Sequence, residues 1–232
     1  LFEKIDKEIE YNFLIIDGEK FSKNQIILEL NGKAISLLSM ERTALNIAMH
    51  LSGVASFTYK IVEKLKNTNI KLADTRKTTP GLRIFEKYAF KCGGGINHRM
   101  GLYDAAMIKE NHIAWSDNLI NTVKKLRENI PFTSHIIIEA ETIEQAKEAI
   151  FAGADSILLD EINPDLLRKS IKELRMTSKE LYKKNNSKEL IIEVSGINHL
   201  EIDKYLIEGI DFISTSSSVT KSKWIDFSMR YI

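Results

Sequence analysis

Hydrophobic and polar positions change period twice along this 232-residue chain. Residues 9–38 read IEYNFLIIDGEKF and then QIILELNGKAISLL, an alternation broken at Asp17–Gly18 and Asn31–Gly32. Alternation punctuated by such turns predicts short antiparallel strands in a small N-terminal piece. From Ser39, a suitable N-cap, apolar residues recur at spacings of three and four through ERTALNIAMHLSGVASFTYKIVEKLKN, which predicts a long helix ending in the Asn67–Asn69 stretch. Glu41 then lies near the positive end of that helix. Arg42, in the third helical position, is disfavoured there by the helix dipole and calls for a specific partner, such as an anion held at the same end.

Beyond Asn69, strand-like and helix-like segments alternate. IKLAD, AAMIK, SHIIIEAE, ADSILLDE, ELIIEVSG and IDFISTS read as strands. GLRIFEKYAFKC, WSDNLINTVKKLREN, TIEQAKEAIFAG, NPDLLRKSIKELRMTSKELYKK and NHLEIDKYLIEG read as helices. The later strands are rich in Ile, Val and Leu, as strands buried on both faces are. Repeated strand–helix units build either a doubly wound open sheet or a barrel. Glu139, Asp160, Glu193 with Ser195, and Ser214 with Thr215 fall at or just past the carboxyl ends of successive strands. In a barrel those ends surround one mouth, whereas an open sheet concentrates chemistry at one switch point. The barrel is therefore expected, with fewer than eight strands.

Composition narrows the function classes. A formal charge of +1 argues against a surface that tracks nucleic-acid phosphates. No apolar run approaches the length of a membrane span, and the opening LFEKIDKEIEYNF lacks the basic and apolar regions of a secretory leader. The single cysteine, Cys92, rules out an internal disulfide framework and points to a reducing, cytoplasmic setting. The chain opens in mid-pattern without a starting cap, so residues before Leu1 are expected to be missing.

Against this neutral background, the segment from Lys71 to His112 carries eight Lys or Arg residues and four Asp or Glu. A local cationic excess on glycine-punctuated segments suits a small, multiply anionic ligand. Arg76 offers a planar fork to a carboxylate or phosphate and Lys77 a compact charge beside it, in a turn rich in hydroxyl and backbone donors, Thr75 to Gly81. Gly93–Gly94–Gly95 permits close backbone approach and leads to His98–Arg99, a second anion clamp. Lys109 ends a predicted strand that aims it at the mouth. Glu139 and Asp160 form the acidic counterpart, each ending an apolar strand, and suit Mg²⁺, sugar hydroxyls or a developing positive charge. No Cys or His pair has the spacing of a structural zinc site.

Several strings together resemble quinolinate phosphoribosyltransferase, the carboxylating nicotinate-nucleotide diphosphorylase of de novo NAD synthesis. They are ERTALN with LSG, DTRKTTPGLR, KCGGGINHRMGLYDAAMIKENHI, IEAETIEQA, GADSILLD, EVSG and GIDFIS, in order along nearly the whole chain. The resemblance implies an α/β fold, an incomplete or atypical (β/α) barrel with a small N-terminal α/β sandwich domain, truncated here. Residues 1–38 would be part of the small domain, 39–67 the linking helix, 68–215 the barrel, and 216–232 a segment returning to the small domain. The implied reaction moves a phosphoribosyl group from phosphoribosyl pyrophosphate to quinolinate with decarboxylation, giving nicotinate mononucleotide, CO₂ and pyrophosphate, with Mg²⁺. Arg76, His98, Arg99 and Lys109 are implied to hold the quinolinate carboxylates, and Arg42 to reach a neighbouring subunit's site in a homodimer or dimer-based hexamer. Lys77, Glu139 and Asp160 are implied to act at the reacting centre, the two acids also at the metal and ribose. Ser195, Gly196, Ser214 and Ser216 are implied at the 5′-phosphate.

The chain departs from the family pattern in three places. About forty to fifty N-terminal residues of the family have no counterpart. Ile197 stands where a second glycine usually follows Ser195–Gly196, and Thr215–Ser216 replaces a Val-Gly pair, with Thr220 at the position of a histidine. The rival readings are a phosphoribosyltransferase-fold relative with another small anionic substrate and an inactive anion-binding barrel. The complete NHRMGLYDAAMIKENH string argues against the first, and the presence of Lys77, Glu139 and Asp160 against the second.

Overall fold

A computed structural model describes residues 1–114, 118–184 and 189–231. The N-terminal part opens with a short helix, α1 (Phe2–Ile5), and a two-stranded antiparallel sheet of β1 (Glu10–Phe13) and β2 (Leu28–Asn31), Glu10 opposite Asn31. A 32-residue helix follows, α2 (Ala34–Leu65). It begins five residues before the expected Ser39. The AISLL segment, read as the end of a strand, forms its first turns instead, because the chain breaks at Asn31–Gly32 and Ala and Leu favour the helix. Ser39 is not a cap; its hydroxyl donates to the Ser36 carbonyl at 2.8 Å. Arg42 consequently lies about two turns inside the helix, so the unfavourable end position inferred for it does not exist.

The barrel portion contains β3 (Lys71–Ala73), α3 (Arg83–Cys92), β4 (Ala105–Ile108), α4 (Glu110–Ala114), α5 (Leu119–Asn129), β5 (His135–Ala140), α6 (Ile143–Ala152), β6 (Ser156–Asp160), α7 (Pro164–Lys184), β7 (Ile191–Ser195), β8 (Phe212–Ser214) and α8 (Ser217–Thr220). The expected NHLEIDKYLIEG helix is a 3₁₀ segment, His199–Tyr205, and α4 was not expected at all. The predicted start of α5, Trp115–Asp117, lies outside the described residues; the helix itself is capped by Asn118, whose side chain accepts from Asn121 N at 3.1 Å. At α6 the Thr142–Gln145 capping box supplies the local start signal.

Six parallel strands run in the order β3-β8-β7-β6-β5-β4. Alternation along them sorts two faces. Leu72, Ile136, Ile138, Ile157, Leu159, Ile192, Val194 and Ile213 join the core beneath the helices, while Glu139, Asp160, Glu193 and Ser195 occupy the opposite, inner face. Among the described residues the two edge strands, β3 and β4, do not pair with each other. The seam between them is crossed by the loop after α3. Ile96 N donates to Leu72 O at 2.8 Å and Asp74 N to Ile96 O at 3.1 Å, so the loop borders β3. Three residues later Arg99 Nη1 donates to Ala105 O at 2.8 Å on β4. The incomplete barrel is thus bridged by the basic loop.

The α2 residues Val54, Thr58, Ile61 and Leu65 are buried along one helical face, all in the C-terminal half of the helix. The C-terminal segment follows that helix, with Ile225 N donating to Met49 O at 3.1 Å and the Trp224 ring 6.1 Å from that of His50. Farther along, Phe227 meets Phe21 of the N-terminal part, ring centroids 5.5 Å apart. No described helix is long and apolar enough to cross a membrane.

The seam loop relies on close packing rather than freedom. A Cβ on Gly95 would sit 2.0 Å from Phe90 Cε1, on a ring 1% exposed. Gly95→Ala is expected to cost about 1–3 kcal/mol by overpacking, measured as a lowered urea midpoint; an unchanged midpoint would show that the loop repacks freely.

Candidate active site at the barrel mouth

The centre of the site is a buried ion pair. Lys87 of α3 and Asp74 after β3 have side chains 1% and 6% exposed and form a salt bridge. Further bonds tie the pair to the loop: Asp74 Oδ2 accepts from Asn97 Nδ2 at 2.6 Å, Asp74 Oδ1 accepts from His98 N at 2.8 Å, and Lys87 Nζ donates to His98 O at 3.0 Å. Burial pushes the Asp74 carboxyl above its ordinary pKa against the opposing pull of Lys87, Asn97 and His98. Nothing in the sequence distinguished Lys87 from a surface lysine; the fold buries it on one side of α3 with Glu86, Ala89 and Phe90.

A second buried acid sets the loop after β3. Glu86, with a fully buried side chain, meets His50 Nε2 at 2.7 Å and accepts from Thr79 N at 2.8 Å. Arg83 Nε donates to Thr78 Oγ1 at 3.1 Å and Arg83 Nη1 to Met100 O at 3.3 Å, tying this loop to the next. Arg83 and Lys87 are therefore structural members of the cationic excess. Arg76 and Lys77 are exposed on the loop so held. Lys77 also lines a shallow recess with Thr78, Thr215 and Ser216, where β3 and β8 run side by side.

Arg99 is half-buried in the seam. Burial, and then the charge of Arg76, hold its guanidinium below the ordinary value, against the opposing charge of Asp104. Asp104 would be raised by its own burial, but the Met100 and Gly101 N–H groups donate to it at 2.5 and 3.1 Å and its pKa falls. The His98 ring accepts from Arg99 N at Nδ1, 2.7 Å away, and reaches Glu193 Oε2 from Nε2 at 3.2 Å. Lys109, one residue past β4, is paired with Glu139 on β5.

The acids share the inner face of neighbouring strands: Glu139 is opposite Leu158, and Asp160, two residues beyond Leu158, is opposite Ser195. Hydrogen bonding with Glu110, then the charges of Glu110, Asp160 and Glu139, push the Glu141 carboxyl up, which marks a wider negative field than the two acids read from the sequence. Among the described residues no three His, Cys, Asp or Glu side chains gather closely enough to enclose a metal on their own. Two carboxylates on one wall suit Mg²⁺, which keeps waters and takes oxygens from its substrate.

The adjoining turn is tightly built. Gly196 has φ +71, and a Cβ there would come within 2.4 Å of Glu161 Cγ and 3.0 Å of Asp160 Oδ1. Glu161 itself takes φ +54, unusual for a side-chain-bearing residue, and its N–H donates to Ser195 O at 3.2 Å. Ser195 and Asp160 are thereby brought together. Ser216 lies partly exposed where β8 gives way to α8, whereas Ser214 is 2% exposed, beneath it in register with Ala73. Arg42 is exposed on α2 and makes no hydrogen bond or ion pair among the described residues.

Comparison with known proteins agrees along the whole chain. Residues 1–52 match the family model described as quinolinate phosphoribosyl transferase, N-terminal domain, and residues 54–230 the model for its C-terminal domain. A probable nicotinate-nucleotide pyrophosphorylase (carboxylating) of Bacillus subtilis is 40% identical over 229 residues, which is 98% of this chain and 75% of the relative. The protein of the same description in Synechocystis is 35% identical over 233 residues, 100% of this chain and 76% of the relative. Among solved structures, NadC from Streptococcus pyogenes superimposes with a TM-score of 0.88 at 37% identity, covering 99% of this chain and 78% of that one.

Removing the lysine of the buried pair leaves Asp74 uncompensated. Lys87→Met is expected to lose about 3–5 kcal/mol, read by urea unfolding, and Asp74→Asn added to it should recover part of that loss. A Lys87→Met protein as stable as the parent would show that the pair does not hold the seam.

Proposed function

The chain belongs to the quinolinate phosphoribosyltransferase family, and on that premise we propose that its barrel mouth is the active site of a nicotinate-nucleotide pyrophosphorylase (carboxylating). The enzyme transfers the phosphoribosyl group of phosphoribosyl pyrophosphate to the ring nitrogen of quinolinate, and the product loses CO₂ to give nicotinate mononucleotide. The observation that carries the site assignment is the placing of the acids Glu139 and Asp160 on the inner face of neighbouring strands, with Lys109 paired to Glu139 and the loops bearing Arg76 and Arg99 beside them. The charge of Arg76 acts against that of Arg99, and a dianion with adjacent carboxylates would offset both.

On this reading Arg76, Arg99 and Lys109 bind quinolinate, with Lys109 giving up Glu139 as the ligand enters. As the bond from the ribose anomeric carbon to pyrophosphate breaks, its electron pair leaves with pyrophosphate and the ring nitrogen bonds to that carbon. Glu139 and Asp160 stabilise the positive charge that develops on the ribose, and Lys77 the departing anion. The quaternised nitrogen then draws the electrons left when the adjacent carboxylate departs as CO₂, and a proton takes the vacated position. Mg²⁺, held by Glu139 and Asp160 together with substrate oxygens, would neutralise phosphate charge. Ser195, Gly196 and Ser216 receive the 5′-phosphate, with Ser214 closing the strand beneath them.

The N-terminal part supports a second copy as partner. Phe13, Ile16, Ile35 and Leu38 are each 65–79% exposed, and such apolar surface marks an interface. Arg42 extends from the same helix and, in a homodimer, would complete the partner's quinolinate clamp; a hexamer of such dimers is compatible with it.

Purified protein given quinolinate, phosphoribosyl pyrophosphate and Mg²⁺ is expected to release CO₂ in step with nicotinate mononucleotide. Arg99→Ala should lower kcat/KM for quinolinate by roughly 100-fold. Turnover of nicotinate in place of quinolinate would sink the substrate assignment. Mixing Arg42→Ala with Lys109→Ala subunits is expected to restore part of the activity that each lacks alone, and no recovery after verified subunit exchange would count against a shared site.

A further inference from the structure

Lys109 stands at the start of a helix, where a lysine is a poor choice. Its carbonyl accepts from the N–H groups of His112 and Ile113 at 2.8 and 3.1 Å, which makes it the N-cap of α4. An N-cap side chain ordinarily accepts a hydrogen bond from the first turn, as Asn118 does for α5 and Thr142 for α6. A lysine has no acceptor to offer, and its charge lies at the positive end of the helix. The Lys109 side chain is turned to Glu139 on β5 instead.

The cap that does exist comes from His112, the third residue of α4. Its Nδ1 accepts from the Lys109 N–H at 3.0 Å. A third-position side chain that reaches back to the N-cap N–H is one half of a capping box, a role ordinarily taken by Glu or Gln. The ordinary version is present in the same chain at α6, where Gln145 Oε1 accepts from Thr142 N at 3.2 Å. The flanking positions agree. Ile108, before the cap, is 4% exposed in the core, and Ile113, fourth in the helix, packs against that core, which are the two positions of a hydrophobic staple. Because Nδ1 accepts, Nε2 carries the ring proton. The ring is exposed, so apolar burial does not account for it.

We propose that His112 is a positioning residue for Lys109: by capping α4 from its third position it fixes the Lys109 backbone, so that the ammonium group is free for Glu139 and then for the substrate. The proposal rests on the reading of Lys109 as a quinolinate-binding residue. On one side Lys109 is fixed by β4, where Ile108 is in register with Ile138, the residue before Glu139. On the other side His112 holds its N–H. Backbone freedom that would otherwise be lost on binding is removed in advance.

One arm of the test needs no substrate. In ¹⁵N-labelled protein, the ring signal lost in His112→Gln identifies His112 among the five histidines. In the neutral ring its Nδ1 is expected to be unprotonated and to show a ¹⁵N–¹⁵N coupling, through the hydrogen bond, to the Lys109 amide. A proton on Nδ1, or no such coupling, overturns the proposal. In the kinetic arm, His112→Ala is expected to raise KM for quinolinate about tenfold while kcat and KM for phosphoribosyl pyrophosphate hold. His112→Gln, which keeps an acceptor of the kind Gln145 supplies at α6, should stay within about threefold of the parent. Added to Lys109→Ala, His112→Ala should lower kcat/KM for quinolinate by less than about twofold more, because both changes act through one side chain. Equal impairment by Gln and Ala, or an undiminished effect of His112→Ala in the absence of Lys109, overturns it. If His112→Ala does not fold, the coupling and the Gln variant still decide. Failure of the parent to use quinolinate would strike the activity assignment and leave the coupling arm standing.

Discussion

The buried pair of Lys87 and Asp74 is the constraint on which the mouth of this barrel depends, because it lies where the strands fail to close. The edge strands β3 and β4 leave a seam, and the loop across it has little regular hydrogen bonding of its own. Asp74 holds that loop by its backbone at His98 and by the Asn97 side chain, while Lys87 takes the His98 carbonyl. A buried ion pair is weak evidence for stability, since desolvation offsets most of the attraction. Its effect here is geometric: it allows one path for the loop, and Arg99 follows from that path.

The charges that remain at the mouth are divided by the same architecture. Arg76 and Arg99 belong to the two loops on the β3 side, and Glu139 and Asp160 to neighbouring strands across the mouth. Lys109 and Glu139 satisfy each other, whereas Arg99 is held by Ala105 O and opposed in charge by Arg76 and offset by Asp104. The bent turns at Glu161 and Gly196 bring Asp160 and Ser195 together on adjacent strands, where the proposed function puts ribose and phosphate.

The N-terminal half of α2 has no fully buried residue, while its C-terminal half packs Val54, Thr58, Ile61 and Leu65 against the barrel. One helix therefore serves two surfaces, with a core inside the chain and an open apolar flank beyond it. Arg42 lies on the open half. The same helix carries His50, which reaches Glu86 and through it the Thr79 backbone, so packing along α2 also reaches the loop that bears Lys77.

Period and turn chemistry along the chain determined the alternating strands and helices, because side-chain alternation and helical spacing are local properties. They also located Glu139, Asp160 and Ser195 at strand ends, and the unbroken strings from Asp74 to Ile113 carried the family. The start of α2 lies five residues before the expected Ser39, because Ala34–Leu38 fits either period when five residues are taken alone. Lys87, Glu86 and Glu193 were illegible as to role, since a charged residue in a helix or strand reads as solvated until its neighbours are known. Only the tertiary structure decided which cations of the basic segment are structural and which are free. That division depends on burial and on partners thirteen to ninety-five residues away, such as Asp74 for Lys87 and Glu193 for His98, which no local pattern encodes.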